Sequence, residues 1–150
     1  MYARIMAGID DQFATNKVFA TAVQLARTLG SRLALCHALD ETPLAQHAAR
    51  AALPDGVAPI EASLRATALE FLDKAAAVAR EAGVDVEVKV IESERESAAE
   101  LLARAAEEWR ADLLIVGASA SHGVGRLLAE NVATRLAAKA PTTLLLVRHE

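Results

Sequence analysis

The chain has 150 residues, 53% of them hydrophobic and only 3% aromatic, with a formal net charge of −4 at pH 7. This length predicts one domain, 1–150, whose core needs no disulfide or metal for stability. The acidic balance disfavours nucleic acid as a partner. No apolar run approaches the ~20 residues of a membrane span. A single cysteine, Cys36, favours a reducing, cytoplasmic location.

Strand-like runs and helical patterns alternate five times along the chain. The first strand is predicted over residues 3–9 and ends at Asp10 and Asp11. A first amphipathic helix follows, with Asn16 as its N-cap and Gly30 as the residue that ends it. The apolar face of this helix is predicted to contain Val18, Phe19, Ala22, Val23, Ala26 and Leu29.

The middle of the chain is predicted to hold a second strand over residues 32–39 and a long helix over 60–82. Between them, residues 40–59 form a proline-rich connection around one short helical piece, which makes this segment the candidate flap. Residues 84–91 alternate between apolar and charged side chains, as in a half-exposed edge strand. The inward stripe of the long helix is predicted to be Ile60, Leu64, Phe71, Ala75, Val78 and Ala82.

The last third of the chain repeats the alternation twice. Ser97 and Glu100 form a predicted capping box for a helix that runs to about Arg110. A fourth strand is predicted over residues 112–118, and a further helix ends at a proline before an apolar fifth strand over 142–148. The inward residues of the capped helix are predicted to be Leu101, Leu102, Ala105 and Trp109.

This order of elements predicts an α/β fold, in which a parallel sheet is covered by helices on both faces. Ligands of such sheets bind beyond the carboxyl ends of the strands, where the strand order reverses. That edge is predicted to gather Asp10, Ala38, Gly117 and the loop after it. The loop belongs to the stretch LIVGASASHGVGRLLAENV, residues 114–132. A strand, a glycine-containing turn and a helix start can together direct backbone N–H groups at a phosphate.

The chain resembles the universal stress protein family over nearly its whole length. The resemblance rests on AGIDD and CHALDE at the ends of the first two strands, ADLLIVGAS on the fourth, GRLLAENVATRLAAKAP after it and TTLLLVR at the end. It implies an open five-stranded parallel sheet of order 3-2-1-4-5, of the adenine-nucleotide α-hydrolase-like type. It also implies homodimers joined through the last strand.

The apolar last strand itself favours a dimer, because an edge strand of this kind leaves apolar side chains and unpaired backbone groups in water. The predicted interface consists of Thr143, Leu144, Leu145, Leu146 and Val147. A charge placed at Leu145 is predicted to produce a monomer.

Nucleotide-binding members of the family carry a glycine, two residues, a second glycine, nine residues, a third glycine and then Ser, Thr or Asn. Here Gly117 matches the first glycine, Ala120 and Glu130 fall on the other two, and Asn131 falls on the small polar position. A register that uses Gly123 as the second glycine matches less well, because the flanking residues align best without a gap.

These substitutions predict a degenerate site. A Cβ at Ala120 hinders a close approach of backbone to phosphate, and the carboxylate of Glu130 repels it. The resemblance implies that Asp10 contacts the nucleoside and that the backbone at Ala38 holds the base, while Ser119 replaces a basic residue. The implied weak nucleotide site comprises Asp10, Ala38, Val116, Gly117, Ser119, Ala120, Asn131 and Val132, with Glu130 opposing the phosphate.

Other candidate groups favour structural roles. The pair Asp10 and Asp11 fits a turn that caps a helix better than a Mg²⁺ site, and the histidines lack metal-ligand spacing, so no metal site is predicted. Cys36 and His37 are adjacent on a strand and point to opposite faces, which favours a buried thiol and a packed histidine. Ser119 and Ser121 do not form a nucleophile elbow.

The leading hypothesis from the sequence is therefore a cytoplasmic, dimeric, non-enzymatic binding or signalling module with unknown protein partners and no bound cofactor. The first alternative is an ATP- or AMP-binding stress switch. The second is an ATP-using enzyme of the same superfamily, such as an ATP pyrophosphatase.

Overall fold

A computed structural model of the chain describes residues 1–40, 58–93, 96–117 and 135–148. The predicted helical piece within 40–59 and most of the candidate phosphate loop lie outside these residues. The elements are β1 (Arg4–Gly8), α1 (Lys17–Leu29), β2 (Arg32–Asp40), α2 (Ala58–Glu81), β3 (Asp85–Ser93), α3 (Ala98–Trp109), β4 (Leu113–Gly117) and β5 (Thr143–Val147). Residues 135–139 are also helical.

The described strands form one parallel sheet in the order β3-β2-β1-β4-β5, which confirms the predicted fold. In the centre, Ile5 of β1 is paired with Leu33 of β2 on one side and with Leu113 of β4 on the other. The chain first moves outward from β1 to β3 and then returns to the other side of β1. The strand order therefore reverses between β1 and β4.

Both faces of the sheet are buried, which explains the continuous apolar runs in the central strands. Successive residues of β1 alternate between the two cores: Ile5 and Ala7 pack with α1 and α2, whereas Met6 packs with α3 and Leu136. Each core is built largely from helix alanines against branched or long strand side chains. Within the described residues, none of the helices combines the length and apolar character needed to cross a bilayer.

The predicted caps of α1 and the Ser97 half of the predicted capping box of α3 are confirmed. The side chain of Asn16 accepts a hydrogen bond from the Val18 N–H at 3.1 Å, and Gly30 ends α1 in the left-handed conformation at φ 68°. At the start of α3, the Ser97 hydroxyl accepts a hydrogen bond from the Glu100 N–H at 3.4 Å. All four residues predicted to face inward on α3 are buried. Of the predicted face of α1, Val23 is half-buried and Leu29, the last residue of the helix, is 45% exposed, while the other four residues are buried.

The predicted inward stripe of α2 is wrong in part. Phe71 and Ala75 are buried, but Ile60, Leu64 and Val78 are 40%, 39% and 49% exposed. The buried face is formed by Ala68, Phe71, Leu72, Ala75, Ala76 and Ala79. At 3.6 residues per turn this face is rotated by roughly 60° from the predicted stripe. Small alanine side chains let the helix approach the sheet closely, and an apolar flank of α2 is left outside the core.

Arg110 at the end of α3 has φ 60° and ψ 44°, a left-handed conformation in which Gly30 and Gly83 also lie. A side chain at such a position costs roughly 1–2 kcal/mol, and the greater unfolded-state entropy of glycine offsets part of that cost. We expect Arg110→Gly to raise the free energy of unfolding by up to about 1 kcal/mol, measured by urea denaturation.

Gly30→Ala is the matched control for this prediction, since a Cβ at Gly30 would meet no atom within 4 Å and only backbone strain is added. It should lower stability by about 1 kcal/mol. A loss of stability in Arg110→Gly would show that the arginine side chain contributes more than its backbone strain costs.

Candidate functional site

The carboxyl end of β1 carries Asp10, an exposed residue close to the point where the strand order reverses. Its Oδ1 atom accepts hydrogen bonds from the Gln12 N–H at 2.9 Å and from Asn16 Nδ2 at 3.3 Å. Because Asn16 also caps α1, the carboxylate is fixed relative to the start of that helix. Within the described residues Oδ2 accepts no hydrogen bond, so this oxygen is open to a ligand group.

The end of β2 supports this turn through His37. Its Nδ1 lies 2.8 Å from the carbonyl oxygen of Ile9, and its ring meets Phe71 of α2 edge-on with centroids 5.0 Å apart. Since a carbonyl oxygen only accepts, Nδ1 carries the proton in this contact. The Ile9 N–H in turn donates to the Cys36 carbonyl at 2.8 Å. His37 is thus a packed, hydrogen-bonded residue, as the sequence predicts.

Of the remaining residues predicted to contact a nucleotide, the structure describes only those on β2 and β4. Ala38 is half-buried at the end of β2 and packs near Ile91, while Val116 is buried and Gly117 is half-buried at the end of β4. The structure therefore brings Asp10, Ala38 and Gly117 to the same edge of the sheet. Ser119, Ala120, Glu130, Asn131 and Val132 lie outside the described residues.

Cys36 lies on the face of β2 opposite to His37, in the core formed with α3. Burial raises the pKa of its thiol from 9.0 to about 12, with the charge of Lys89 lowering it and that of Glu87 raising it to a smaller extent. The thiol is therefore protonated at physiological pH and inaccessible to reagents. The prediction of a buried structural thiol is confirmed.

This pKa shift has a consequence for alkaline stability. Above about pH 9 the unfolded chain loses the thiol proton while the folded chain keeps it up to about pH 12, so folding is weakened as pH rises through this window. At about pH 10 we expect the unaltered protein to lose about 1.4 kcal/mol more than Cys36→Ala, relative to neutral pH. Urea unfolding of both proteins at the two pH values measures the difference. If the two proteins lost the same amount of stability, the Cys36 thiol would have the same pKa in the folded and the unfolded chain.

Two features of this edge escape prediction from the sequence. The hydrogen bond from His37 of β2 reaches Ile9, the residue directly after β1, and only the pairing of β1 with β2 brings the two residues together. The hydrogen bond from Asn16 Nδ2 to Asp10 spans six residues. An N-cap motif predicts only that the Asn16 oxygen accepts from the helix, and it does not predict where the amide nitrogen donates. Among the described residues, no group of three or more His, Cys, Asp or Glu side chains is arranged to hold a metal.

The comparison with protein families decides how this arrangement is classified. The model of the universal stress protein family matches residues 1–148, almost the whole chain. The chain belongs to the universal stress protein family. No curated protein shows significant similarity to it.

Solved structures of universal stress proteins share the fold. One from Burkholderia pseudomallei is 27% identical, with a TM-score of 0.71 and coverage of 97% of this chain and 96% of the other. One from Archaeoglobus fulgidus in complex with dAMP is 20% identical, with a TM-score of 0.61 and coverage of 97% of both chains. One from Arabidopsis thaliana with AMP bound is 15% identical, with a TM-score of 0.66 and coverage of 99% and 92%.

Proposed function

We propose that this member of the universal stress protein family is a cytoplasmic, dimeric binding or signalling module of the stress response, not an enzyme, and that its nucleotide site is degenerate. The observation that carries the proposal is the contrast between the two halves of the site. Asp10 is held in place with one carboxylate oxygen open, whereas the sequence after β4 has Ala120 and Glu130 where nucleotide-binding relatives have glycines. The half that would contact a nucleoside is retained, and the half that would hold phosphate is altered.

A nucleotide-binding switch is the second candidate. The relatives solved with dAMP and with AMP support it, since those two proteins of the same fold bind adenine nucleotides. In this hypothesis the phosphates are held by backbone N–H groups and by Ser119, His122 and Asn131. Glu130 is either turned to solvent or shares a Mg²⁺ with the nucleotide. ATP or AMP would then be the physiological ligand.

The chemistry of the described edge supports a binding role over catalysis. The Cys36 thiol is buried and protonated, and the proton on Nδ1 of His37 is donated to a backbone carbonyl. The Cys36 thiol is therefore unavailable as a nucleophile, and the Nδ1–H of His37 is used in holding the turn after β1. An enzyme of the same superfamily remains the third candidate, and release of AMP, ADP or pyrophosphate from ATP identifies it.

The edge strand β5 supports the dimer. Leu144 and Leu145 are half-buried against opposite cores, and Leu146 is 41% exposed. Among the described strands β5 pairs only with β4, so one row of its backbone groups is unpaired. A second copy related by a two-fold axis would pair these groups and cover the leucines.

Calorimetric titration of Mg·ATP into the unaltered chain tests the function, and nucleotide release is assayed on the same samples. We expect binding no tighter than millimolar and no hydrolysis. Micromolar binding without hydrolysis would replace the proposal with the nucleotide switch, and turnover of ATP would replace it with the enzyme.

A further inference from the structure

A groove of about 770 Å³ lies between α1 and the C-terminal part of α2, on the side of these helices that faces away from the sheet. Its apolar lining includes Phe13, Phe19, Val23, Val78 and Ala82. The groove exists because the buried face of α2 is rotated toward its alanines, which leaves Val78 49% exposed beside α1. Its volume falls within the range of small-molecule sites, roughly 300–1,000 Å³. It is remote from the phosphate loop in sequence and shares no residue with the nucleotide site.

The groove is polar along one part of its wall. Gln24, Arg27 and Thr28 line it at spacings of three and four residues, so they share one face of the second half of α1. Phe19, in the first turn of that helix, packs edge-on against Phe13, which lies in the turn before the helix, with centroids 5.2 Å apart. Within the described residues, none of the three polar side chains makes a hydrogen bond or an ion pair. Arg27 is the only charged side chain among the described residues that line the groove.

We propose that this groove binds an amphiphilic monoanion, with an apolar body along Phe19, Val23 and Val78 and a carboxylate or similar head at Arg27. Charge complementarity selects an anion, because Arg27 has no ion-pair partner among the described residues and has two hydrogen-bonding neighbours. The helix dipole places only about half a negative charge at the end of α1, so it does not neutralise the full positive charge of the Arg27 guanidinium. From Phe19 to Thr28 the helix rises about 13 Å, which sets the length of the ligand.

The distribution of polar groups distinguishes this ligand from an extended peptide. A peptide in the groove would bring backbone N–H and C=O groups along its whole length, and each needs a partner once it leaves water. The groove offers side-chain partners at one end and apolar surface over the rest. An amphiphile, polar only at its head, matches that distribution.

The experiment is an NMR titration of the isotope-labelled full chain with decanoate, 1-decanol and decyltrimethylammonium, which share an apolar chain and differ in head-group charge. Decanoate is expected to bind most tightly and to shift the amide signals of residues 19–28 and 78–82. Arg27→Gln should weaken decanoate about fivefold, the effect of one exposed ion pair. Arg135→Gln is the matched control: it removes another exposed arginine, from the helical segment on the opposite face, and should leave the affinity unchanged.

A second variant tests the location of the apolar body. Ala20 lines the groove at an exposed position of α1, so Ala20→Trp fills the groove without disturbing the core, and it should abolish decanoate binding. Circular dichroism verifies that the variant is folded. The proposal would be overturned if the chain bound the three probes with equal affinity, or if Arg27→Gln bound decanoate as tightly as the unaltered chain does. It would also be overturned if decanoate shifted amide signals outside the groove. A change of oligomeric state in Ala20→Trp would identify a second copy as the occupant and would also overturn it.

Discussion

Replacing Ala120 and Glu130 together by glycine is expected to create an affinity for Mg·ATP that the unaltered chain lacks. A carboxylate about 4 Å from a phosphate charge costs about 4 kcal/mol at an effective dielectric of about 20, which is nearly a thousandfold in affinity. The alanine adds a Cβ where nucleotide-binding relatives have none. Calorimetric titration should therefore show micromolar binding by the double variant and binding no tighter than millimolar by the unaltered protein.

Two further variants separate the contributions to this gain. Glu130→Gln removes the charge and keeps a side chain, so it should recover most of the electrostatic part but not the close backbone approach. Asp10→Ala in the double-variant background removes the carboxylate that Gln12 and Asn16 hold in place, and it should weaken the new site. If the double variant binds no better than the unaltered chain, these two residues are not what disables the site.

The fold was largely predictable because both faces of its sheet are covered. Strands buried on both sides are continuous apolar runs, and β1, β2 and β4 stand out in the sequence for that reason. Helix ends were predictable where a side chain caps them, as at Asn16 and Ser97. The order of the strands followed from the family resemblance, since periodicity alone does not determine which strands are neighbours.

The face of α2 could not be predicted, because an alanine-rich helix carries two competing apolar stripes. The larger side chains of Ile60, Leu64 and Val78 favour one stripe by hydropathy. Packing favours the other, since Ala68, Ala76 and Ala79 allow close contact with the sheet. The choice between them depends on the space above the sheet, which the sequence of the helix does not contain. The groove between α1 and α2 is a consequence of that choice.

Only part of the candidate site followed from sequence reasoning. The position of Asp10 was predictable, because a polar residue directly after a buried parallel strand lies at the ligand-binding edge. Its attachment to the start of α1 and the support of the same turn by His37 were not, since both depend on distances set by tertiary structure.

The dimer prediction is tested most sharply at Leu146. Leu145 packs against the core beneath α1, so a charge there destabilises the monomer and confounds loss of the dimer with loss of the fold. Leu146 is 41% exposed, and Leu146→Glu should leave the monomer folded while placing a carboxylate in the proposed interface. In a two-fold dimer each substitution acts twice, because both copies contribute the same strand.

Sedimentation velocity should show a dimer for the unaltered chain and a monomer for Leu146→Glu at the same concentration. Leu69→Glu is the matched control, since Leu69 is also a leucine that is 41% exposed but lies on α2, away from β5. It should remain dimeric, which separates the effect of the interface from the effect of adding a charge to the surface. If the unaltered chain were monomeric, or if Leu146→Glu were dimeric, the assignment of β5 as the dimer interface would be wrong. The unpaired edge of the sheet would then require another cover, because its leucines and backbone groups are otherwise left in water.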